Sequence, residues 1–332
     1  MTKKHTTASS CRPPPSPGFS LLEVMVALGL AGILLLGLAE IFASNVKNAT
    51  ATSNLSSIQD NGRIAVQLLS ADIRRAGFLG GNIRIREITG TLGESDAAAT
   101  CVANTPEWAR RLGQSIFGLN NADTGYECIS GIADDDPGTY LRGDILTLRY
   151  TEALPVDPNE MTLADNANRL YLRATVVEGR LFVGSTQGNA ENDIVHEAAE
   201  GYALAGHAYY VGDSQRECQD AAIPSLYRVS VGANGLPVSQ ELLPGVEHLQ
   251  FRYQINNRYL DADDIVLADW SAVTAVEISV LVRAQCPETA FVSKRRFIMG
   301  DLLGEDAYPP ANTDDGYRRQ LYQSVVALRN FR

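Results

Sequence analysis

Histidine, tryptophan and cysteine are scarce in this chain, at four, two and five residues among 332. The histidines, His5, His196, His207 and His248, stand in no GxSxG, HExxH or P-loop context, so the usual signatures of hydrolase and nucleotide chemistry are missing and no enzyme is expected. They read as ordinary surface or strand histidines. No CxxC pair occurs, and no Cys/His spacing suits zinc. Trp108 and Trp270 lack the interleaved basic residues of a base-stacking surface and read as packing residues. Basic charge is short as well: 28 Lys and Arg face 39 Asp and Glu, a net −11. Such a surface repels phosphate backbones, so nucleic acid is not an expected partner. Proline is absent from Phe19 to Thr105, and no Lys or Arg lies between Arg12 and Lys47.

The gap in basic charge holds the longest apolar run. From Phe19 to Ala43 only Glu23 and Glu40 are charged, and a helix of about 20 apolar residues crosses a hydrocarbon core. Lys3, Lys4 and Arg12 precede the run, which keeps the amino terminus cytoplasmic and sends the rest across the membrane. A secretory signal would be cut after its apolar run, next to small residues. Here Ala39 is followed by Glu40, Ile41 and Phe42, whereas Gly18 precedes the run in the stretch PPPSPG, extended by Pro13, Pro14, Pro15 and Pro17. A cut after Gly18 makes Phe19 the first residue. A carboxylate within an apolar helix needs a partner, and Glu23 would lie about one turn from the new amine. It could neutralise the amine of a neighbouring subunit, or snorkel to the headgroups.

Beyond the run, Leu55, Ile58, Ala65, Leu68, Leu69, Ile73 and Ala76 recur at helical spacing, with Asp60, Arg63, Asp72 and Arg74 offset to the other side. The helix is therefore expected to continue to about Gly77. After Gly80-Gly81 the period becomes 2: Val246–Ile255 and Thr274–Arg283 alternate as half-buried antiparallel strands. Weaker strands are expected at Ile83–Ile88, Asp144–Tyr150, Leu226–Val231, Phe291–Ile298 and Gln320–Leu328, with a hairpin of Leu170–Val177 and Arg180–Gly184. Polar loops are expected at Ala133–Thr139, Leu154–Asn168 and Ser185–Gly201, and a short helix at Pro106–Leu112 capped by Thr105. The class is α+β, a long amino-terminal helix packed on a carboxy-terminal antiparallel sheet domain. Its segments are a leader at 1–18, a membrane or filament-core helix at 19–43, the periplasmic half of the helix at 44–80 and a sheet domain at 81–332. Cys11 falls in the leader; Cys101, Cys128, Cys218 and Cys286 remain, an even number suited to an oxidising compartment. Three connectivities are open, and the pairs nearest in sequence, Cys101 with Cys128 and Cys218 with Cys286, are favoured. By chain entropy each is worth roughly 3 to 4.5 kcal/mol.

The string Gly18-Phe19-Ser20-Leu21-Leu22-Glu23-Val24 resembles the class III leader of type IV pilins and type II secretion pseudopilins. Further strings resemble the PilW family of minor pilins: Asp60-Asn61-Gly62-Arg63, Leu68 to Phe78, Gly143-Asp144, Leu148-Arg149-Tyr150, Pro224 to Arg228, Leu242 to Tyr253, and Val326 to Asn330. The resemblance implies cleavage by prepilin peptidase between Gly18 and Phe19, N-methylation of Phe19, and a part for Glu23 in subunit registration. It further implies an inner-membrane protein with a periplasmic domain that joins other minor pilins and the major pilin, with or without a tip adhesin, to prime a pilus for twitching and attachment. A GspJ-like minor pseudopilin and a tip adhesin with its own ligand are the rivals. Some pilin relatives bind calcium, but Asp134-Asp135-Asp136, Asp261-Asp263-Asp264 and Asp314-Asp315-Gly316 lack EF-hand spacing. Solvated acidic loops and no cofactor are expected.

Overall fold

The computed structural model describes residues 18–91, 107–122, 126–133, 136–186, 199–232, 234–288, 291–311, 313 and 315–330. The chain divides into two compact units, Met1–Ala51 and Thr52–Arg332. Helix α1, Leu21–Ile73, contributes to both. In the first unit every described residue from Gly18 to Thr50 is exposed.

In the second unit α1 buries Ile58, Gly62, Ala65, Leu69, Asp72 and Ile73, a stripe at the three-and-four spacing of one helix face. Gly62 is there because nothing larger fits: a Cβ would lie 2.1 Å from the Tyr322 ring, whose hydroxyl donates to the Ile58 carbonyl at 3.2 Å. The helix stops four residues before the expected Gly77. Gly77 has φ 74°, the left-handed backbone that ends helices. Asn330, near the carboxyl end, donates its amide to the carbonyls of Arg74, Arg75 and Ala76 at 3.1, 3.3 and 3.1 Å, groups left open by the finished helix.

Eight strands form the first sheet: β1 (Ile88–Thr89), β2 (Ile116–Leu119), β3 (Tyr140–Pro155), β4 (Leu170–Ala174), β5 (Gly179–Val183), β6 (Glu200–Cys218), β7 (Ala221–Val231) and β8 (Pro237–Pro244). Their order is β1-β5-β4-β6-β3-β2, with β7 joined to β6 and β8 to β7. All pairs are antiparallel except β1 with β5. The second sheet, in the order β10-β9-β11-β12, comprises β9 (Val246–Ile255), β10 (Arg258–Leu260), β11 (Ala275–Arg283) and β12 (Arg319–Ala327). One hydrophobic core joins the buried stripe of α1 to both sheets, through Leu146, Leu148, Tyr209 and Val211 of the first and Leu249, Phe251, Val276, Ile278 and Val280 of the second. The structure is thus α+β with one sheet-bearing unit built from two sheets.

Cys218, at the end of β6, is bonded to Cys286, just past β11, with Cα atoms 5.3 Å apart. Cys128 is also disulfide-bonded; its expected partner Cys101 lies outside the described residues. Near the Cys218–Cys286 bridge the buried Glu247 of β9 accepts from Arg319 of β12 at 2.6 and 3.0 Å, and Arg283 lies over the Tyr317 ring at 3.9 Å.

Several expectations are corrected. Phe291–Ile298 forms no strand; its contribution to pairing is the bridge Phe297 to Tyr308, because Arg296 is turned into the carbonyls of Ala307 and Pro309. Ile83–Ile88 is mostly turn, with a 3-10 helix at Ile85–Glu87 and β1 only from Ile88. The short helix expected at Pro106–Leu112 becomes two 3-10 turns, Glu107–Arg110 and Leu112–Gln114, its Thr105 cap and Pro106 lying outside the described residues. The loop expected through Gly201 ends at Glu200, where β6 begins. Within Leu154–Asn168 a turn of helix, Pro158–Met161, starts at Asp157, whose side chain accepts from the Asn159 amide.

Candidate assembly site in the amino-terminal helix

The first α-helical hydrogen bond joins the Val24 amide to the Ser20 carbonyl at 3.1 Å. Gly18, Phe19 and Ser20 therefore stand just outside the helix, and Glu23 falls in its first turn, where a carboxylate complements the positive end of the helix dipole. Among the described residues nothing pairs with the Glu23 carboxylate. Around it Phe19, Leu21, Leu22, Met25, Leu28, Ile33, Leu35, Leu36 and Phe42 are each more than 60% exposed. The apolar surface goes all the way round, as in a helix whose medium is lipid or other helices. It is long and apolar enough to cross a membrane, and none of its apolar window is buried by the chain itself. A Cβ built at Gly29, Gly32 or Gly37 would meet nothing within 4 Å, so these small residues are free for close approach by another helix.

The other end of α1 carries a polar anchor that periodicity assigned to the exposed side. Asp72 is only 6% exposed. Its carboxylate accepts from Tyr209 of β6 at 2.7 Å and from Tyr150 of β3, and bonds His207 Nδ1 of β6 at 2.6 Å. Burial raises the Asp72 pKa, but the His207 hydrogen bond and charge, with the two tyrosines, outweigh it and hold the carboxyl below its usual range. Burial and the Asp72 charge push both tyrosines up. A carboxylate in the last turn opposes the helix dipole, and these three donors compensate it. The signal lay in the position of Asp72, three residues after Leu69 and beside it on the helical wheel.

Gly143 and Asp144 form a second joint. Gly143 has φ 84°, with the Leu249 carbonyl 2.7 Å from any added Cβ, and Asp144 accepts from the amides of Phe251 at 2.7 Å and Asn121 at 3.1 Å. Burial, with Asp301 and Asp261 nearby, pushes the Asp144 carboxyl up to about 8. Arg149 is fully buried, donating to the carbonyls of Trp108 and Gln114, and burial lowers it to about 10.

The remaining candidates are scattered. His248 is buried against Tyr308, and burial lowers it to about 4; His5 and His196 lie outside the described residues. Asp261 pairs with Arg252 at 3.1 Å and Asp315 with Arg319, while Asp134, Asp135 and Asp314 lie outside the described residues. Among the described residues no group of three His, Cys, Asp or Glu side chains is arranged to hold a metal. Trp108 and Trp270 are buried packing residues.

Comparison with known proteins defines the class first. Residues 16–39 match the prokaryotic N-terminal methylation motif, the mark of a pilin-like chain. Residues 208–330 match the family model of type IV pilus-assembly protein W. With a match at each end, the chain resembles PilW-family pilins, and these matches support a minor pilin role and a structural, non-enzymatic protein. The second match runs from β6 to Asn330, so it includes the strand that meets Gly62 and the residue that caps α1. Among solved structures, a type IV-like pilin from Thermus thermophilus is 12% identical, covering 82% of this chain and 98% of that one at a TM-score of 0.36. The GspK-GspI-GspJ complex of the enterotoxigenic Escherichia coli type 2 secretion system gives 10% identity, 80% and 95% coverage and a TM-score of 0.27. No curated protein matches.

Proposed function

We propose that this chain is a minor pilin cut by prepilin peptidase between Gly18 and Phe19, N-methylated at Phe19, and assembled with other minor pilins and the major pilin to prime a type IV pilus. It is held by residues 19–43 in the inner membrane, with its sheet domain in the periplasm, until assembly carries it to the cell surface; twitching and attachment depend on the pilus it primes. The carrying observation is the combination of an all-round exposed apolar helix with an unpaired Glu23 in its first turn, directly behind Gly18 and Phe19. In a bundle of such helices the Glu23 carboxylate neutralises the methylated amine of a neighbour, which offsets the cost of a charge in an apolar medium. The chemistry is binding without turnover.

Mass spectrometry of the membrane-extracted protein tests the processing: the expected first residue is methylated Phe19, and any other first residue refutes it. Glu23→Ala is expected to insert and be cleaved normally while the number of pili drops; pili at the wild-type number would remove the pairing role.

A further inference from the structure

Sheet edges are open ladders of hydrogen-bonding groups, and proteins blunt them with short strands, charges, prolines or bulges. Among the described residues, four of the five terminal strands of the two sheets are treated in this way. β1, β2 and β10 are two, four and three residues long, and β8 is bounded by Pro237 and Pro244 and carries Glu241. The fifth edge, β12, is different. Its nine residues run in unbroken register with β11, without proline, and its one charge, Arg319, is turned into Glu247 and Asp315. Among the described residues no strand pairs with its outer side, and Gln323, Val325 and Ala327 are exposed, Val325 by 55%.

Beside this edge lies a groove of about 490 Å³ between β12 and the flank of α1, lined by Gln59, Asp60, Arg63, Gln67, Gln320 and Tyr322. Asp60 and Arg63 neutralise each other at 3.7 Å. The amides of Gln59, Gln67 and Gln320 have no hydrogen-bond partner among the described residues.

We propose that the outer edge of β12, with the α1 flank from Gln59 to Gln67, receives an extended, uncharged strand from a different pilin subunit as a fifth strand of the second sheet. The strand presents amide or hydroxyl side chains to the glutamines of the groove and aliphatic ones to Val325, on alternate positions. The occupant follows from charge and area. The strip from Gln320 to Ala327 is neutral in a chain of net −11; a second copy would bring the same acidic surface against it. One strand pair also buries less than the 1,200 Å² or so of a stable interface. Its owner must therefore be tethered nearby, as the helix of a co-assembled pilin would be. The choice of a pilin as partner rests on the function proposed above.

The test uses the full-length chain in detergent and a fluorescent, end-blocked peptide alternating glutamine and valine. The peptide is expected to bind and to slow hydrogen exchange of β12 amides. Val325→Lys, which alters an exposed side chain, is expected to weaken binding roughly tenfold or more, and Val238→Lys on the β8 edge to leave it unchanged. Equal binding by the Val325→Lys chain overturns the proposal. A concentration-dependent dimer that Val325→Lys dissolves assigns the edge to a second copy and overturns it too. Processing separates the two readings: a leader retained while the peptide still binds removes the pilin partner, whereas normal cleavage without peptide binding removes only the strand site.

Discussion

Helix α1 contains two stretches of different composition and opposite environment. Leu28, Ile33, Leu35 and Leu36 expose more than 60% of their surface, while Ile58, Ala65, Leu69 and Ile73 expose 1% or less. The difference lies in the arrangement of the apolar residues. In the first stretch they surround the helix and no single sheet could cover them; in the second they form one stripe, which the two sheets cover. A helix apolar on every side is thus directed to an environment outside its own chain, and a striped one to its own core.

The largest effect that would sharpen this contrast is loss of the Cys218–Cys286 bridge. It closes a loop of 68 residues by sequence separation, worth roughly 4 kcal/mol in the chain-entropy account. Cys218→Ser with Cys286→Ser is expected to lower the unfolding free energy of the sheet unit by that amount, read by denaturant titration followed by near-ultraviolet circular dichroism. Next, Leu69→Ala removes a fully buried side chain and is expected to cost about 3 kcal/mol, whereas Leu35→Ala leaves the same melt unchanged. Equal losses from both would break the comparison.

The two buried aspartates give opposite pH responses. The folded Asp72 pKa lies below its unfolded value, so its contribution is present above about pH 4 and is lost as pH falls through the folded value. The Asp144 carboxyl is raised to about 8, so its contribution declines as pH rises from about 4 to 8. Asp72→Asn is expected to flatten the acid side of the stability profile and Asp144→Asn the side between pH 5 and 8, measured by thermal melts across pH. The smallest effect is at the helix end: Asn330→Ala removes three hydrogen bonds to helix carbonyls and is expected to cost about 1 kcal/mol.

Much of the fold was legible where pattern and burial coincide. The strands at Val246–Ile255 and Thr274–Arg283 were found as β9 and β11, but the half-buried expectation is corrected: Glu247, His248 and Gln250 of β9 and Ser279, Leu281 and Arg283 of β11 are buried as well, so both faces of each strand are covered. β6 was missed although it is the longest strand: Ala203, Ala208, Tyr209, Tyr210 and Val211 are buried on both faces, which erases the alternation. Phe291–Ile298 showed the reverse failure, since Phe297 packs against Leu281 from a loop while Val292 and Ile298 stay exposed. Of the family strings, Gly18 to Glu23 could be interpreted at once, because leader chemistry is local. Gly62, Asp72, Gly143 and Asn330 could be seen but not explained, since each meets a partner far away in the chain.

Sequence alone determined the exposed helix, its charge asymmetry and the Gly18-Phe19-Glu23 arrangement, because those depend on composition and on spacing within a single turn. Tertiary structure decided that Asp72 is an anchor, that Gly62 must be small, that Asn330 finishes α1 and that the β12 edge stays open. Each of these depends on which distant residues the two sheets bring within hydrogen-bond or van der Waals distance, and chain order carries no record of that distance.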